Sequence, residues 1–140
     1  MHQIITAALA DLGLASKIEF VGDAPIKHGD VLCFQQYTAG DVLCAGKKVV
    51  GSAQRKYRQA LMQHGSILLA QSEHAPALPG IRETAGVLLD STEVQGAIQQ
   101  NLARSTGWRI EADDWTAQES IFIQELIRAK YATATWNEKR

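Results

Sequence analysis

The chain has 140 residues, 46% hydrophobic and 21% charged, a profile that predicts one soluble globular domain and excludes disordered, collagenous and membrane classes. Its 14 basic and 15 acidic side chains leave a formal charge of −1. No global field therefore recruits nucleic acid or an anionic membrane, and any electrostatic partner must be met locally.

Ile5, Ala8, Leu9 and Leu12 recur at helical spacing ahead of Gly13, predicting a short amphipathic helix that stops there. Ile18 to Val21 is β-compatible and ends at Gly22, Asp23 and Pro25, which predicts a strand. From Gly29 to Gly40 the chain is mixed and turn-prone, so a loop or short irregular strand is expected. Asp41 to Cys44 and Lys48 to Ser52 flank a turn at Ala45 and Gly46, which is a hairpin pattern. A further apolar run at Ser66 to Ala70 predicts another strand. His74 to Gly80 holds two of the three prolines and reads as a connection.

Thr92 with Gln95 and Thr116 with Glu119 fit the capping-box pattern at two helix starts. Behind the first, Val94, Ala97, Ile98 and Leu102 form one stripe. Behind the second, Phe122, Ile123, Leu126 and Ile127 form an apolar face. The sum is an α+β domain over residues 1–140, with a small, mainly antiparallel sheet and helices on one face.

Two cysteines cannot make a secreted disulfide framework, and the first residues form no basic-then-apolar leader, so a reducing, cytoplasmic setting is expected. No apolar run approaches the roughly 18 residues of a membrane span, so no membrane partner is expected. The histidines stand at no metal-ligand spacing from the cysteines, and no metal site is expected.

Basicity is concentrated between Lys47 and Arg58, where Lys47, Lys48, Arg55, Lys56 and Arg58 occur without one acidic residue. A solvated strand edge guarded by lysines is one reading. A patch for an acidic protein or a phosphate-bearing ligand is the other. Tyr57 alone supplies a stacking aromatic there, so no nucleic-acid partner is expected. Inside the run, Gly51, Ser52 and Ala53 follow a strand-like stretch, and small residues let a ligand approach the backbone. Lys48, at the head of that stretch, is placed to stabilise negative charge developing on an oxygen. Cys33 in a turn-prone segment is a candidate nucleophile if a cation such as Lys48 favours its thiolate, whereas Cys44 in an alternating strand is expected to be packed. His64 is a further candidate neighbour.

Cys33-Phe34, Asp41-Val42-Leu43, Gly46 through Arg55, and Gln63-His64-Gly65-Ser66-Ile67-Leu68-Leu69, in this order, resemble the lipoate-protein ligase and octanoyltransferase family, relatives of the biotin-protein ligases. Lys130-Tyr131-Ala132-Thr133 with Trp136-Asn137 resembles that family's C-terminal signature. The resemblance implies a part of the biotin/lipoate protein ligase catalytic fold, with Lys48 contacting the acyl carbonyl. It implies Cys33 as carrier of a thioester, and Gly51, Ser52, Ala53, Arg55, His64 and Gly65 as substrate-binding positions. The implied reaction moves octanoyl from acyl carrier protein to Cys33 and then to a lysine of a lipoyl domain such as the glycine-cleavage H protein, without a cofactor. The alternatives are an ATP- and Mg-dependent lipoate-protein ligase in which Lys48 holds the acyl-adenylate, and a non-catalytic subunit that binds a lipoyl domain through Arg55, Lys56 and Arg58. The family's arginine-plus-triple-glycine motif has no counterpart, so only the C-terminal half of its catalytic domain is matched. A fragment, completion by a second subunit or homodimer, and loss of catalysis are the three situations that fit.

Overall fold

A computed structural model describes residues 1–22, 34 and 36–138. These divide into two compact units, Met1–Arg109 and Ile110–Arg140.

In the first unit, helix α1 (His2–Leu9) buries Ile5, Ala8 and Leu9. Gly13 does not end it cleanly. The chain widens into a π-type turn over Ala10–Leu14, with Gly13 at φ 90°, and this turn delivers Leu14 to the core. Strands β1 (Ile18–Phe20), β2 (Val42–Cys44), β3 (Lys47–Tyr57) and β4 (Ala60–Ile67) form one antiparallel sheet in the order β1-β2-β3-β4. Ala45 and Gly46, at φ 48° and 74°, make the two-residue turn between β2 and β3, the mirror-image geometry whose twist suits a hairpin. The core joins Ile5, Leu9 and Leu14 to Val42, Cys44, Val49, Val50 and Ile81, so one face of β2 and early β3 meets α1 and α2 (Ile81–Ala85). Cys44 is fully buried, as its strand position predicts.

The last strand differs from expectation. β4 spans Ala60–Ile67 rather than Ser66 to Ala70, paired over its whole length with β3. Its outer half alternates nothing, because neither face of the hairpin beyond Ser52 is buried, and a strand wet on both faces carries no period-2 signal. The chain then continues along the sheet. Leu68 N–H donates to Val49 O, and Ile81 and Arg82 N–H donate back to Leu68 and Leu69 O, which pins α2 beside the strand.

The N-cap of helix α3 (Ser91–Thr106) stands two residues before the expected one. Asp90, not Thr92, is the N-cap: its carboxylate accepts from Thr92 N–H at 2.7 Å, and Glu93 rather than Gln95 closes the box on Asp90 N–H at 3.0 Å. Two carboxylates outcompete a hydroxyl and an amide at a helix N-terminus, where the dipole favours negative charge. Val94 of the expected stripe is buried and Ile98 packs on the core. Asp11, in the π-type turn after α1, ties that turn to α3, accepting from Asn101 Nδ2 at 2.9 Å and from the Arg104 guanidinium at 2.8 Å.

The second unit holds α4 (Ala117–Leu126), a wider turn over Ile127–Tyr131, and α5 (Ala134–Asn137). Here the expected cap forms: Thr116 Oγ1 accepts from Glu119 N–H and Glu119 accepts from Thr116 N–H. No residue of α4 is buried: of the expected apolar face, Phe122 and Ile127 are exposed and Ile123 and Leu126 are half-buried. In the closing segment Lys130 Nζ lies 4.4 Å from the Trp136 ring centroid and 5.0 Å from that of Tyr131, and the two rings meet edge to face at 5.3 Å.

Candidate active site

A break in strand register positions the site. Leu43 pairs with Lys48 but Val42 pairs with Val50, so β3 carries one residue more than β2 at this point, a β-bulge. The extra residue lets Val49 and Val50 both reach the core, at 0% and 1% exposure, and leaves Lys48 opposite Leu43, away from Val42 and Cys44. Strict alternation would have put Lys48 and Val50 on the same face.

The Lys48 ammonium is buried and its charge is met. Nζ stands 2.7 Å from Asp41 Oδ2, donates to Gln36 O at 3.0 Å, and lies 5.2 Å from the Phe34 ring centroid. Asp41 is itself fixed, since the same Oδ2 accepts from Thr38 N–H at 2.8 Å and Thr38 Oγ1 at 2.9 Å. The turn carrying Thr38 is tied down further by the His2 ring, which donates to Gly40 O at 2.5 Å. Among the described residues a carboxylate and a backbone carbonyl thus hold this buried cation in one place.

The floor beneath Lys48 is made of small residues for steric reasons. A Cβ on Gly51 would stand 2.7 Å from Lys48 Cε and 3.1 Å from its Nζ. A Cβ on Gly65 would stand 2.4 Å from Gly51 O. Gly51, Ala53 and Arg55 face the same side of β3 and pair with Ser66, His64 and Met62 of β4. Gly51, Ala53, His64 and Ser66 of these, together with Lys48, border an open cavity of about 380 Å³.

The structure thus brings Lys48, Gly51, Ser52, Ala53, His64 and Gly65 to one cavity. Arg55 lies farther along the hairpin, paired with Met62, and does not line it. Cys33 lies outside the described residues. The pairing of Asp41 with Lys48 and the bulge are the parts the sequence reading missed. An acid placed just before a strand whose hairpin partner opens with lysine was the available signal. Among the described residues no three metal-ligating side chains gather, and no helix is long and apolar enough to cross a membrane.

Residues 1–92 match the family model of the lipoyl protein ligase A/B catalytic domain. The chain belongs to this family. Among its curated relatives, the octanoyltransferase LipM of Kyrpidia tusciae is 31% identical over an alignment covering 77% of this chain and 47% of that protein. LipM of Bacillus subtilis is 25% identical over 78% of this chain and 47% of its own length. Among solved structures, a lipoate protein ligase of T. acidophilum with bound lipoic acid superposes with a TM-score of 0.69 at 18% identity, covering 97% of this chain and 55% of that one. Lipoate-protein ligase A bound with ATP gives 0.69 at 21% identity, covering 97% and 56%. The archaeal bipartite lipoate protein ligase of Thermoplasma acidophilum gives 0.65 at 18% identity, covering 96% and 54%. The fold is that of the lipoate-protein ligases, and the chain spans about half the length of the curated relatives it matches.

Proposed function

We propose that this chain takes part in protein lipoylation as an octanoyl transferase, with Lys48 holding the acyl carbonyl and Cys33 carrying the acyl group as a thioester. The observation that supports this most is the buried Lys48–Asp41 pair at the edge of a glycine-floored cavity. A fixed ammonium facing a cavity stabilises a carbonyl oxygen as it gains charge, without reorganising during the reaction. In the first half-reaction the Cys33 sulfur attacks the donor thioester of acyl carrier protein and the pantetheine thiolate leaves. In the second, an amine of a lipoyl domain or of the glycine-cleavage H protein attacks the Cys33 thioester, forming an amide and releasing the thiol. No cofactor is consumed.

The relatives named octanoyltransferases favour this reading, and the fold shared with a ligase that binds ATP favours a second one. In the ligase reading ATP and Mg activate the acid, Lys48 holds the acyl-adenylate and Cys33 is incidental. A third partner belongs to both readings: a second subunit, or a second copy, supplying the part of the catalytic domain that the matched relatives have and this chain does not span. The fold's occurrence in a bipartite ligase supports that arrangement.

Incubation of the chain with octanoyl-acyl carrier protein, followed by intact-mass analysis, tests the transferase. Octanoylation that disappears in Cys33→Ala supports it. Cys33→Ala with unchanged, ATP-dependent modification of a lipoyl domain would assign the ligase instead.

A further inference from the structure

An amine acceptor reaches a thioester as an ammonium at neutral pH and must lose a proton before its nitrogen can attack. The cavity wall offers few groups able to take it. Lys48 is engaged by Asp41 and Gln36 O. One oxygen of Asp41 is already taken up by Lys48 and both Thr38 donors. Arg55 is permanently charged and lies off the wall. His64 differs from all of these. It lines the cavity, is exposed, and among the described residues neither of its ring nitrogens has a partner.

Register places it well. The Lys48 stem covers Gly51, and the Ala53–His64 pair comes two residues farther along the same face, about 7 Å away by strand geometry. A carbonyl held by Lys48 therefore has the His64 ring within reach of a nucleophile approaching from the open side. We infer that His64 is the general base that deprotonates the acceptor amine, a role that rests on the acyl-transfer reading above. The first ammonium proton passes to a ring nitrogen and on to water, and the freed amine attacks to form the C–N bond. As the C–S bond breaks, the second nitrogen proton passes through the same imidazole to the leaving thiolate, so each amide formed releases one proton to water and no other reagent is needed.

The test compares two acceptors with the full chain, using octanoyl-pantetheine as donor and subtracting the uncatalysed rate. A lipoyl domain presents a protonated lysine, and hydroxylamine presents a nitrogen already unprotonated at pH 7. His64→Gln should lower the rate to the lipoyl domain about 100-fold more than the rate to hydroxylamine, the size of a typical general-base contribution. Added imidazole should restore part of the lysine reaction in His64→Ala. Equal losses with both acceptors would make His64 a positioning residue, and no loss with either would remove it from the chemistry. A wild-type chain that accelerates neither reaction would overturn the transferase reading and the base together.

Discussion

Lys48 and Asp41 are each nearly inaccessible to water, with side-chain exposures of 7% and 5%. For such a pair the cost of breaking it exceeds the benefit of having it, because a lone buried charge has no solvent to return to. Asp41→Asn should therefore lower unfolding free energy by about 3 kcal/mol in urea titrations. Lys48→Met combined with Asp41→Asn keeps the volume of the stem and strands neither charge, and should lower acyl transfer about 100-fold, the scale of losing one oxyanion contact, while its unfolding midpoint stays above that of Asp41→Asn alone. The two glycines of the floor separate site from scaffold in the same way. In Gly51→Ala the clash is with the far end of a flexible lysine, so activity should fall with little change in Tm. In Gly65→Ala the clash is with the β3 backbone itself, so Tm should fall as well. A Gly51→Ala protein that melts as early as Gly65→Ala would show that the lysine stem cannot yield.

At the scale of elements, the β2–β3 hairpin was legible in the sequence and its bulge was not. Ala45 and Gly46 between apolar runs announce a tight turn, but the extra residue at Val49 leaves no mark, since three consecutive residues, Lys48 to Val50, are buried for two different reasons. Gln54 to His64 was similarly opaque: its strands are held by backbone pairing and by a side-chain chain in which Gln54 Nε2 donates to Gln63 Oε1 and Gln63 Nε2 donates to Ser52 Oγ, none of which needs apolar residues. The turn is a place for improvement. Ala45 sits at φ 48°, a left-handed position that costs a Cβ-bearing residue roughly 1 kcal/mol, and Ala45→Asn, giving Asn-Gly, should raise stability by up to that amount in denaturant titrations.

Helix α3 makes the pH response explicit. The Thr92 backbone N–H holds Asp90 below its ordinary value of 3.8, and the Asn101 amide followed by the Arg104 guanidinium does the same for Asp11. A carboxylate whose folded value is depressed contributes stability that is fully present above 3.8 and is lost as pH falls through the lower folded value. Both groups are exposed, so the contribution is small. Hydrogen exchange at the first turn of α3 should accelerate in that acid window in the wild type and show no such step in Asp90→Ser. A step that persists in Asp90→Ser would assign it to another group.

For the whole molecule, the net charge of −1 conceals a basic stretch on the exposed outer half of the β3–β4 hairpin, where Arg55, Lys56 and Arg58 stand beside exposed Tyr57, Leu61 and Met62. Association of an acidic lipoyl domain or carrier protein there should weaken as salt is raised, and charge reversal at Arg55 and Lys56 should slow association more than dissociation. Association rates from stopped-flow that ignore both salt and charge reversal would place the partner elsewhere. The catalytic-domain family was readable from the ordered blocks around Lys48 because they combine steric and electrostatic requirements that leave little freedom: a glycine under the lysine stem, a glycine against the opposite backbone, and an acid to balance the charge.

The single surplus residue in β3 has one more implication, for how this segment can change length over time. Deleting Val49 would restore an unbroken pleat, with Lys48 still opposite Leu43 and Val50 still opposite Val42, but would take one fully buried side chain out of the core. Gaps in sequences descended from a common ancestor should therefore be purged between positions 43 and 50, however freely they accumulate at the hairpin's tip.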